Sequence, residues 1–276
     1  MTIRGPVQDF APTKINLTLH VTGRRPDGYH LLDSLVVFGD VGDRLTVAMA
    51  ERMSLSVTGP RGEGVPADAR NLVWKAAEFA GVPARITLEK HLPAAAGIGG
   101  GSSDAAATLR ALSRLTGAPV PDRTETLGAD IPVCLTPTVS RMQGVGEVVT
   151  PLPALPPLHG VLVNPGVDVP TPQVFARLAS RENPAMPATL PDWPDAATLA
   201  LWLRSTRNDL EGPALQIAPV IGDALRTLQA DSACLIARMS GSGATCFALT
   251  DSRAGAEAMA ARIARLDWWV QPTTFA

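Results

Sequence analysis

The amino-acid sequence predicts an α+β fold, and three observations lead to that prediction. Apolar and polar side chains alternate with a period of two along residues 14–21, which is typical of a half-buried strand. Residues 70–80 place Leu, Val and Ala side chains at helical spacing before Gly81 ends the run. The strands come in hairpin-like runs with helices interspersed, and this order favours α+β over a regular parallel strand–helix repeat.

The remaining elements of the first half follow the same two periods. A Pro-Asp-Gly turn at residues 26–28 separates the first strand from the next. Further strands are predicted at residues 31–38, 43–49, 53–59 and 84–93. A glycine-dense loop follows, and the helix beyond it is predicted over residues 103–117, with Gly117 as its terminator.

Prolines mark the boundary between two predicted domains. Residues 151–157 read PLPALPP, and proline excludes a helix interior or a central strand because it lacks the N–H donor. A chain of 276 residues suits two domains at ~150 residues each, so we expect one domain over 1–150 and a second over 151–276. The second is predicted to contain a strand at 159–166, a strand–glycine turn–strand unit at 237–250, and helices at 218–230 and 253–266.

Composition and charge exclude several classes of function. Lys and Arg total 24 and Asp and Glu total 26, which gives a formal charge of −2. A general nucleic-acid or anionic-membrane binder is expected to carry a clear excess of positive charge, and this sequence has none. No apolar run approaches the roughly 20 residues that span a bilayer, and the N-terminus lacks the pattern of a signal peptide. Three cysteines without a CxxC pair suit reduced thiols better than disulfides or zinc. We therefore expect a cytoplasmic protein that binds neither nucleic acid nor membranes.

Residues 93–107 form a glycine-rich loop that leads into a helix, and this order is typical of an anion site. Glycines at positions 97, 99, 100 and 101 let the backbone approach a ligand closely, and Ser102 or Ser103 is predicted to cap the helix. The unpaired amides of the first helical turn and the helix dipole then attract phosphate. The spacing matches neither GxxxxGK[ST] nor GxGxxG, and a flexible turn remains the alternative.

Three segments resemble, in order and spacing, the three sequence motifs of the GHMP kinases, a family named after galactokinase and the homoserine, mevalonate and phosphomevalonate kinases. The segments read KINLTLHVTGRRPDGYHLL from residue 14, PAAAGIGGGSSDAAATL from residue 93 and RMSGSGATCF from residue 238. The first also resembles the branch of the family whose acceptor alcohol carries a cytidine diphosphate group.

The resemblance implies a two-lobed GHMP kinase fold, with an N-terminal lobe like domain 2 of ribosomal protein S5 and a ferredoxin-like C-terminal lobe. It implies that ATP is the phosphoryl donor, with Mg²⁺ bridging its phosphates, and that the acceptor is the 2-hydroxyl of a methylerythritol linked to cytidine diphosphate, in the non-mevalonate route to isopentenyl diphosphate. A monomer or weak homodimer is expected. The ATP-binding residues it implies are Pro93, Ala94, Ala95, Ala96, Gly97, Ile98, Gly99, Gly100, Gly101, Ser102 and Ser103.

The resemblance also implies the catalytic pair. Asp130 is expected to be the base that accepts the proton of the attacking hydroxyl. Lys14 is expected to keep that carboxylate ionised and to stabilise negative charge on the hydroxyl oxygen. From the residues alone, Asp130 reads more simply as a turn aspartate and Lys14 as a solvated lysine at a strand start.

Recognition of the cytosine ring is assigned to aromatic residues. Tyr29 is the only tyrosine in the chain, and the resemblance implies that its ring stacks on the base while His30 hydrogen-bonds the base edge. Phe175 is expected to close the other face of the base, and Asn16 and Thr171 to line the substrate site. Without the resemblance, Tyr29 could equally pack at a hairpin end and Phe175 could anchor a helix start.

The third motif and Asp104 have expected roles as well, and two alternative functions are considered. The turn Gly241–Gly243 is expected to pack against the phosphate loop, direct metal ligands are not assigned, and Asp104 is a candidate for an indirect metal contact. One rival is another GHMP kinase for a small alcohol, of the homoserine or mevalonate type, but such substrates carry no base for Tyr29. The other rival is a non-catalytic nucleotide-binding sensor, which would have no use for a catalytic lysine–aspartate pair.

Overall fold

The computed structural model describes residues 5–94, 96–264 and 267–276, and these residues confirm the α+β class. The strands of this part of the chain are β1 (Val7–Asn16), β2 (His20–Arg24), β3 (His30–Met49), β4 (Ser54–Thr58), β5 (Ala84–Glu89), β6 (Ser140–Gly144), β7 (Val148–Pro151), β8 (Leu158–Asn164), β9 (Ile236–Met239), β10 (Cys246–Thr250) and β11 (Trp269–Phe275). Its α-helices are α1 (Leu72–Phe79), α2 (Gly100–Thr116), α3 (Ile131–Leu135), α4 (Thr171–Ala176), α5 (Ala196–Leu203), α6 (Glu211–Ile217), α7 (Val220–Gln229) and α8 (Arg253–Ile263).

The chain divides into two compact units, and neither is continuous in sequence. The first unit consists of Met1–Thr13, Val41–Ala94 and Gly99–Pro137, and the second of Lys14–Asp40, Ala95–Ile98 and Thr138–Ala276. These bounds differ from the halves expected at 1–150 and 151–276, because β1 and β3 each contribute residues to both units. The division into two domains at residue 150 stays a prediction.

In the first unit, two helices cover a small sheet. The second part of β3 pairs antiparallel with β5, and β5 pairs parallel with β4. The core contains side chains from β3, β5, α1 and α2, among them Leu45, Val73, Ile86, Leu88 and Leu112. Helix α1 begins where the Asn71 side chain accepts a hydrogen bond from the Val73 N–H, as expected for an N-cap residue.

The second unit contains two antiparallel ladders. One joins β2, β3, β6 and β7, and the other has the order β11–β8–β10–β9. Helices α7 and α8 contribute their apolar faces to a core that includes Val161, Val163, Ile221, Leu228 and Met259. None of the described helices combines the length and the apolar character that crossing a bilayer requires.

The strand expected over residues 84–93 ends at Glu89, because the N–H groups of His91 and Leu92 donate to the Asp43 side chain. Other predicted strand boundaries are also wrong, and these errors have a physical cause as well. The strand expected over residues 14–21 is interrupted after Asn16, because the Leu19 N–H leaves the ladder to bond the carbonyl of Arg207. The strands expected at 31–38 and 43–49 are one continuous strand, β3. The glycine at position 42 does not end it; a Cβ there would lie 2.2 Å from the Ala11 carbonyl oxygen, so glycine permits close backbone packing.

Candidate active site

The glycine loop leads into α2 as predicted, but the helix begins earlier than expected. Gly99 is the N-cap residue, with a φ of 65°, and α2 starts at Gly100. The Ser103 N–H already donates to the Gly99 carbonyl at 2.7 Å. The prediction that Ser102 or Ser103 caps the helix is therefore wrong: glycine supplies the left-handed backbone, and no side chain caps this end.

The start of α2 has the features of an anion site. The N–H groups of Gly100, Gly101 and Ser102 belong to the first turn, where a helix offers no internal acceptor. The positive end of the helix dipole lies at the same place. The Ser103 hydroxyl is fully buried and, among the described residues, has no hydrogen-bond partner. This donor set fits the phosphates of a nucleotide.

In the second unit, three segments distant in sequence meet at residues 96–98 of the loop. The Lys14 N–H donates to the Ile98 carbonyl at 2.9 Å, and the Thr245 N–H donates to the Ala96 carbonyl at 3.1 Å. The Ser240 hydroxyl donates to the Gly97 carbonyl at 3.1 Å. The first and third sequence motifs are thus both hydrogen-bonded to the second. Ala95, one of the predicted ATP-binding residues, lies outside the described residues.

The Ser240 hydroxyl is the point at which these segments are joined. It accepts the Asn16 N–H at 3.1 Å while it donates to the loop, and Ser240 is fully buried. The turn that follows Ser240 is fixed by Asn208, whose side-chain amide donates to the carbonyls of Met239 and Gly241 at 2.8 and 2.9 Å. Sequence reasoning missed both Ser240 and Asn208, since their partners are far away in the chain.

Close packing between the loop and the third motif depends on glycine. A Cβ on Gly97 would lie 2.6 Å from the Ser240 carbonyl oxygen and 2.7 Å from the Gly243 backbone. A Cβ on Gly241 would lie 2.7 Å from the Gly97 carbonyl oxygen. Contacts this short are incompatible with a side chain, so the expected packing of Gly241–Gly243 against the loop is present.

The two predicted catalytic residues lie in different units, and each is described in its own surroundings. Lys14 is in β1 of the second unit and is only 3% exposed, so it is not the solvated lysine of the alternative interpretation. Asp130 is half-buried at the N-terminal end of α3, and its carboxylate does not cap that helix. Within the first unit its segment adjoins the loop, because a Cβ on Gly128 would lie 3.8 Å from Ser102 Oγ.

The predicted base-binding residues lie in the second unit. The rings of His30 and Phe175 are stacked on each other, with centroids 4.6 Å apart and planes 21° from parallel. Tyr29 is next to them in sequence and its side chain is 61% exposed. Burial lowers the pKa of His30, and Arg24 and Arg181 lower it further, so the ring is neutral at pH 7. Two of the three aromatic residues are thus brought together, and a neutral imidazole can donate or accept a hydrogen bond.

Asn16 and Thr171 are held by neighbouring hydroxyl groups. The Asn16 amide donates to Ser34 Oγ at 2.7 Å, and its Oδ1 atom is buried without a partner among the described residues. The Thr171 hydroxyl lies 2.7 Å from the Ser242 hydroxyl. Thr171 is therefore tied to the third motif, whereas Asn16 offers a buried acceptor.

A buried ionic cluster in the first unit was not predicted. Lys90 contacts the carboxylates of both Asp43 and Asp104, and its Nζ atom lies 2.8 Å from Asp104 Oδ2. All three side chains are almost completely buried. Asp104 was a candidate for an indirect metal contact, and its described contact is instead with this ammonium group. Among the described residues, no group of three or more His, Cys, Asp or Glu side chains could hold a metal ion.

Comparison with known proteins first identifies the class. Residues 71–136 match the model of the GHMP kinases N terminal domain, and residues 186–266 match the model of the GHMP kinases C terminal region. A crystal structure of homoserine kinase from Cytophaga hutchinsonii is similar over 100% of this chain and 96% of its own, with a TM-score of 0.67 and 18% identity. At this identity the similarity shows the fold alone. The GHMP kinase fold implied by the sequence motifs is confirmed.

Relatives with higher sequence identity then identify the branch of the GHMP kinases. A 4-diphosphocytidyl-2-C-methyl-D-erythritol kinase of Dinoroseobacter shibae is 57% identical over 97% of this chain and 94% of its own length. One from Paracoccus denitrificans is also 57% identical, over 95% and 94%. A crystal structure of 4-(cytidine 5'-diphospho)-2C-methyl-D-erythritol kinase is 35% identical, with a TM-score of 0.74 over 98% of this chain and 99% of that one. The chain belongs to the family of 4-diphosphocytidyl-2-C-methyl-D-erythritol kinases, and its relatives do not favour a homoserine kinase, a mevalonate kinase or a sensor.

Proposed function

We propose that this kinase transfers the γ-phosphoryl group of ATP to the 2-hydroxyl of 4-diphosphocytidyl-2-C-methyl-D-erythritol, giving the 2-phosphate and ADP on the non-mevalonate route to isopentenyl diphosphate. The observation that carries the proposal is the loop of residues 93–103 at the start of α2, in a chain 57% identical to kinases named for this substrate. Phosphoryl transfer depends on positioning and on charge stabilisation, and this loop is suited to both.

The loop is the proposed site for the phosphates of ATP. Backbone amides at Gly100–Ser102 would donate to the phosphate oxygens, and the Ser103 hydroxyl, which has no hydrogen-bond partner among the described residues, follows them in the chain. Mg²⁺ would reduce the negative charge of the phosphates during transfer. Because the described residues contain no cluster of metal-ligating side chains, we expect the ion to be held chiefly through the nucleotide and water.

Lys14 and Asp130 are the proposed catalytic residues. The Asp130 carboxylate would accept the proton of the acceptor hydroxyl, which makes that oxygen a better nucleophile. The Lys14 ammonium would stabilise negative charge on the same oxygen. Two observations support these roles. Lys14 is buried, and its backbone N–H is hydrogen-bonded to the loop at Ile98. Asp130 lies two residues after Gly128, which is close to the Ser102 side chain.

The cytosine ring of the substrate is proposed to bind at Tyr29, His30 and Phe175. An exposed tyrosine ring offers a stacking surface, and a neutral His30 can read the edge of the base. In the described structure His30 stacks on Phe175, so binding of the base between Tyr29 and Phe175 requires His30 to turn out of that stack. Asn16, with its unpartnered Oδ1, and Thr171 would bind other polar groups of the substrate.

The proposed setting is the cytoplasm, with the protein acting on a small molecule as a monomer or weak homodimer and without nucleic acid. A formal charge of −2 supports the absence of nucleic-acid binding. The described cysteines form no disulfide with one another, which suits a reducing compartment. Sedimentation at several protein concentrations tests the oligomeric state.

The activity test measures ADP release with Mg²⁺-ATP and each of three alcohols: 4-diphosphocytidyl-2-C-methyl-D-erythritol, mevalonate and homoserine. We expect turnover with the first alone. Turnover with mevalonate or homoserine but not with the cytidyl compound would overturn the proposed substrate. ATP binding without turnover on any of the three would favour a sensor.

The role of Asp130 is tested by Asp130→Asn, with Asp122→Asn as the control. Both aspartates belong to the first unit, and Asp122 is exposed. We expect Asp130→Asn to lower kcat by about 10²–10⁴-fold, the usual contribution of general base catalysis, while ATP still binds in calorimetry. The control is expected to keep normal turnover, and full activity of Asp130→Asn would remove Asp130 as the base.

A further inference from the structure

The buried cluster of Asp43, Lys90 and Asp104 connects the two ends of the glycine loop. Lys90 follows β5 and lies three residues before Pro93, where the loop begins. Asp104 lies in α2, one turn beyond the helix start that ends the loop. The Lys90 ammonium contacts the carboxylates of Asp43 and Asp104. One side chain thus links the strand that enters the loop with the helix that leaves it.

Asp43 fixes the entering chain through its other oxygen. Its Oδ1 atom accepts the N–H of His91 at 2.6 Å and the N–H of Leu92 at 2.9 Å, while Oδ2 contacts Lys90. Asp43 is fully buried in β3. The backbone direction just before Pro93 is therefore set by a carboxylate that is itself fixed by the sheet, because hydrogen bonds to a charged acceptor are strong and directional.

The helix side of the cluster is equally constrained. Asp104 is 3% exposed, and a Cβ on Gly100 would lie 3.8 Å from Lys90 Nζ. A lone ammonium beside a helix start is unfavourable because the dipole is positive there, so the carboxyl groups are needed to keep Lys90 in this place. Removal of Lys90 would leave two carboxyl groups facing each other in a buried site.

The protonation of the cluster depends on pH, and the pKa values of both Asp104 and Lys90 are raised. Burial raises the pKa of Asp104 to about 8, with Lys90 opposing the shift and Asp43 adding to it. Burial alone would lower the pKa of Lys90, but the two carboxyl groups outweigh it and keep the pKa above its ordinary value. Lys90 and Asp43 are the charged groups that act on Asp104.

We propose that Lys90, held between Asp43 and Asp104, is a positioning residue that sets the separation of the two loop ends and thereby the affinity for ATP. The inference rests on the proposed function of the loop as the phosphate site. Lys90 acts here through the backbone that it holds in place. A loop with both ends fixed presents its amides to the phosphates without losing conformational entropy on binding.

A purely structural role for the cluster predicts something different. If the three residues only stabilised the first unit, their loss would lower the melting temperature and the fraction of active enzyme. The KM for ATP of the remaining folded enzyme would not change. The ratio between the change in KM for ATP and the change in kcat therefore separates the two roles.

The experiment compares Lys90→Met with Arg110→Met in the full chain. Arg110 is on the same helix, where it forms an ion pair with Asp9 at 2.9 Å and donates to the Cys134 carbonyl at 2.6 Å, far along α2 from the loop. For Lys90→Met we expect the KM for ATP to rise at least about tenfold, since small displacements of binding groups have large effects. The KM for the alcohol should change less than about twofold. For Arg110→Met we expect a lower melting temperature and an unchanged KM for ATP.

A second variant keeps the inference testable if Lys90→Met does not fold. Asp104→Asn retains an oxygen that can accept from Lys90, whereas Asp104→Leu removes it. We expect the KM for ATP to stay near the wild-type value in Asp104→Asn and to rise in Asp104→Leu. An unchanged KM for ATP in folded Lys90→Met or Asp104→Leu would overturn the positioning role while leaving the kinase function intact. Wild-type protein that turns over no ATP would instead overturn the proposed function, and the inference with it.

Discussion

Replacement of Gly97 by alanine tests the packing between the glycine loop and the third motif. Gly97 has a φ of +69°, and an added Cβ would lie 2.6 Å from the Ser240 carbonyl oxygen and 2.7 Å from both N and O of Gly243. These three atoms belong to backbone, which cannot rotate away as a side chain can. Gly97→Ala therefore adds a backbone strain and a steric clash at one position.

The size of the effect follows from those two contributions. An alanine in the left-handed region costs about 1–2 kcal/mol. Overpacking of a close-packed region costs about 1–3 kcal/mol more. We expect Gly97→Ala to lower the free energy of unfolding by about 2–5 kcal/mol. We also expect a higher KM for ATP, because the loop must move away from Ser240 to accept the methyl group.

The matched control is Gly166→Ala, in the same unit. Gly166 has a φ of +76° and no atom within 4 Å of its added Cβ, so it reports the backbone strain alone, about 1–2 kcal/mol. Urea denaturation followed by tryptophan fluorescence measures both variants, and steady-state kinetics gives the KM. A loss in Gly97→Ala no greater than in Gly166→Ala, with an unchanged KM for ATP, would refute the close packing.

Three further predictions concern single side chains. Ser240→Ala leaves the Asn16 N–H without its acceptor and is expected to lower the free energy of unfolding by about 1–3 kcal/mol in urea denaturation; an unchanged value would contradict the bridging role. The folded pKa of Asp104 lies above its ordinary value of 3.8, at about 8, so its contribution to stability is lost as the pH rises between those values. Asp104→Asn should therefore flatten the pH dependence of the melting temperature in that range, and a parallel profile would be evidence against the raised pKa. Burial raises the pKa of Cys234 to about 11, so at pH 8 it should react with a disulfide reagent about a hundredfold more slowly than free cysteine; equal rates in native and unfolded protein would contradict this.

Elements with a strong period or a glycine turn were predictable from sequence. Helix α7 has apolar residues at helical spacing, and β9 and β10 flank a glycine turn. The predicted helix over 253–266 is present as α8, which ends at Ile263, while its last two predicted residues lie outside the described ranges. Helix α5 escaped prediction because its sequence, AATLALWL, is apolar except for Thr198, so it lacks the polar stripe by which a period is recognised.

Features that depend on partners distant in the chain were not predictable. The Ser240 hydroxyl joins residues separated by 143 and 224 positions, and no local pattern indicates such a contact. Lys90 and Asp104 are 14 positions apart, yet a lysine after a strand is normally solvated. The glycine loop itself was recognisable because its chemistry is local: glycines followed by a helix. The roles of Lys14, Asp130 and the aromatic residues stay predictions.

Because β1 and β3 contribute residues to both units, the second unit contains both early and late parts of the chain. It cannot complete its fold until the late part has been synthesised. The first unit has all its residues once position 137 is made, but residues 14–40 of the second unit must wait for the rest of it. Leu35, Val36 and Val37 are fully buried in the finished protein, and the last strand, β11, pairs with β8 and reaches Gly39 of β3. Leu35 and Val36 pair with Arg141 and Ser140 of β6, so at about 5–20 residues per second they wait roughly 5–20 s for that strand, and the rest of their unit follows later. Nascent chains are therefore expected to need a chaperone in this interval, and premature termination products to aggregate.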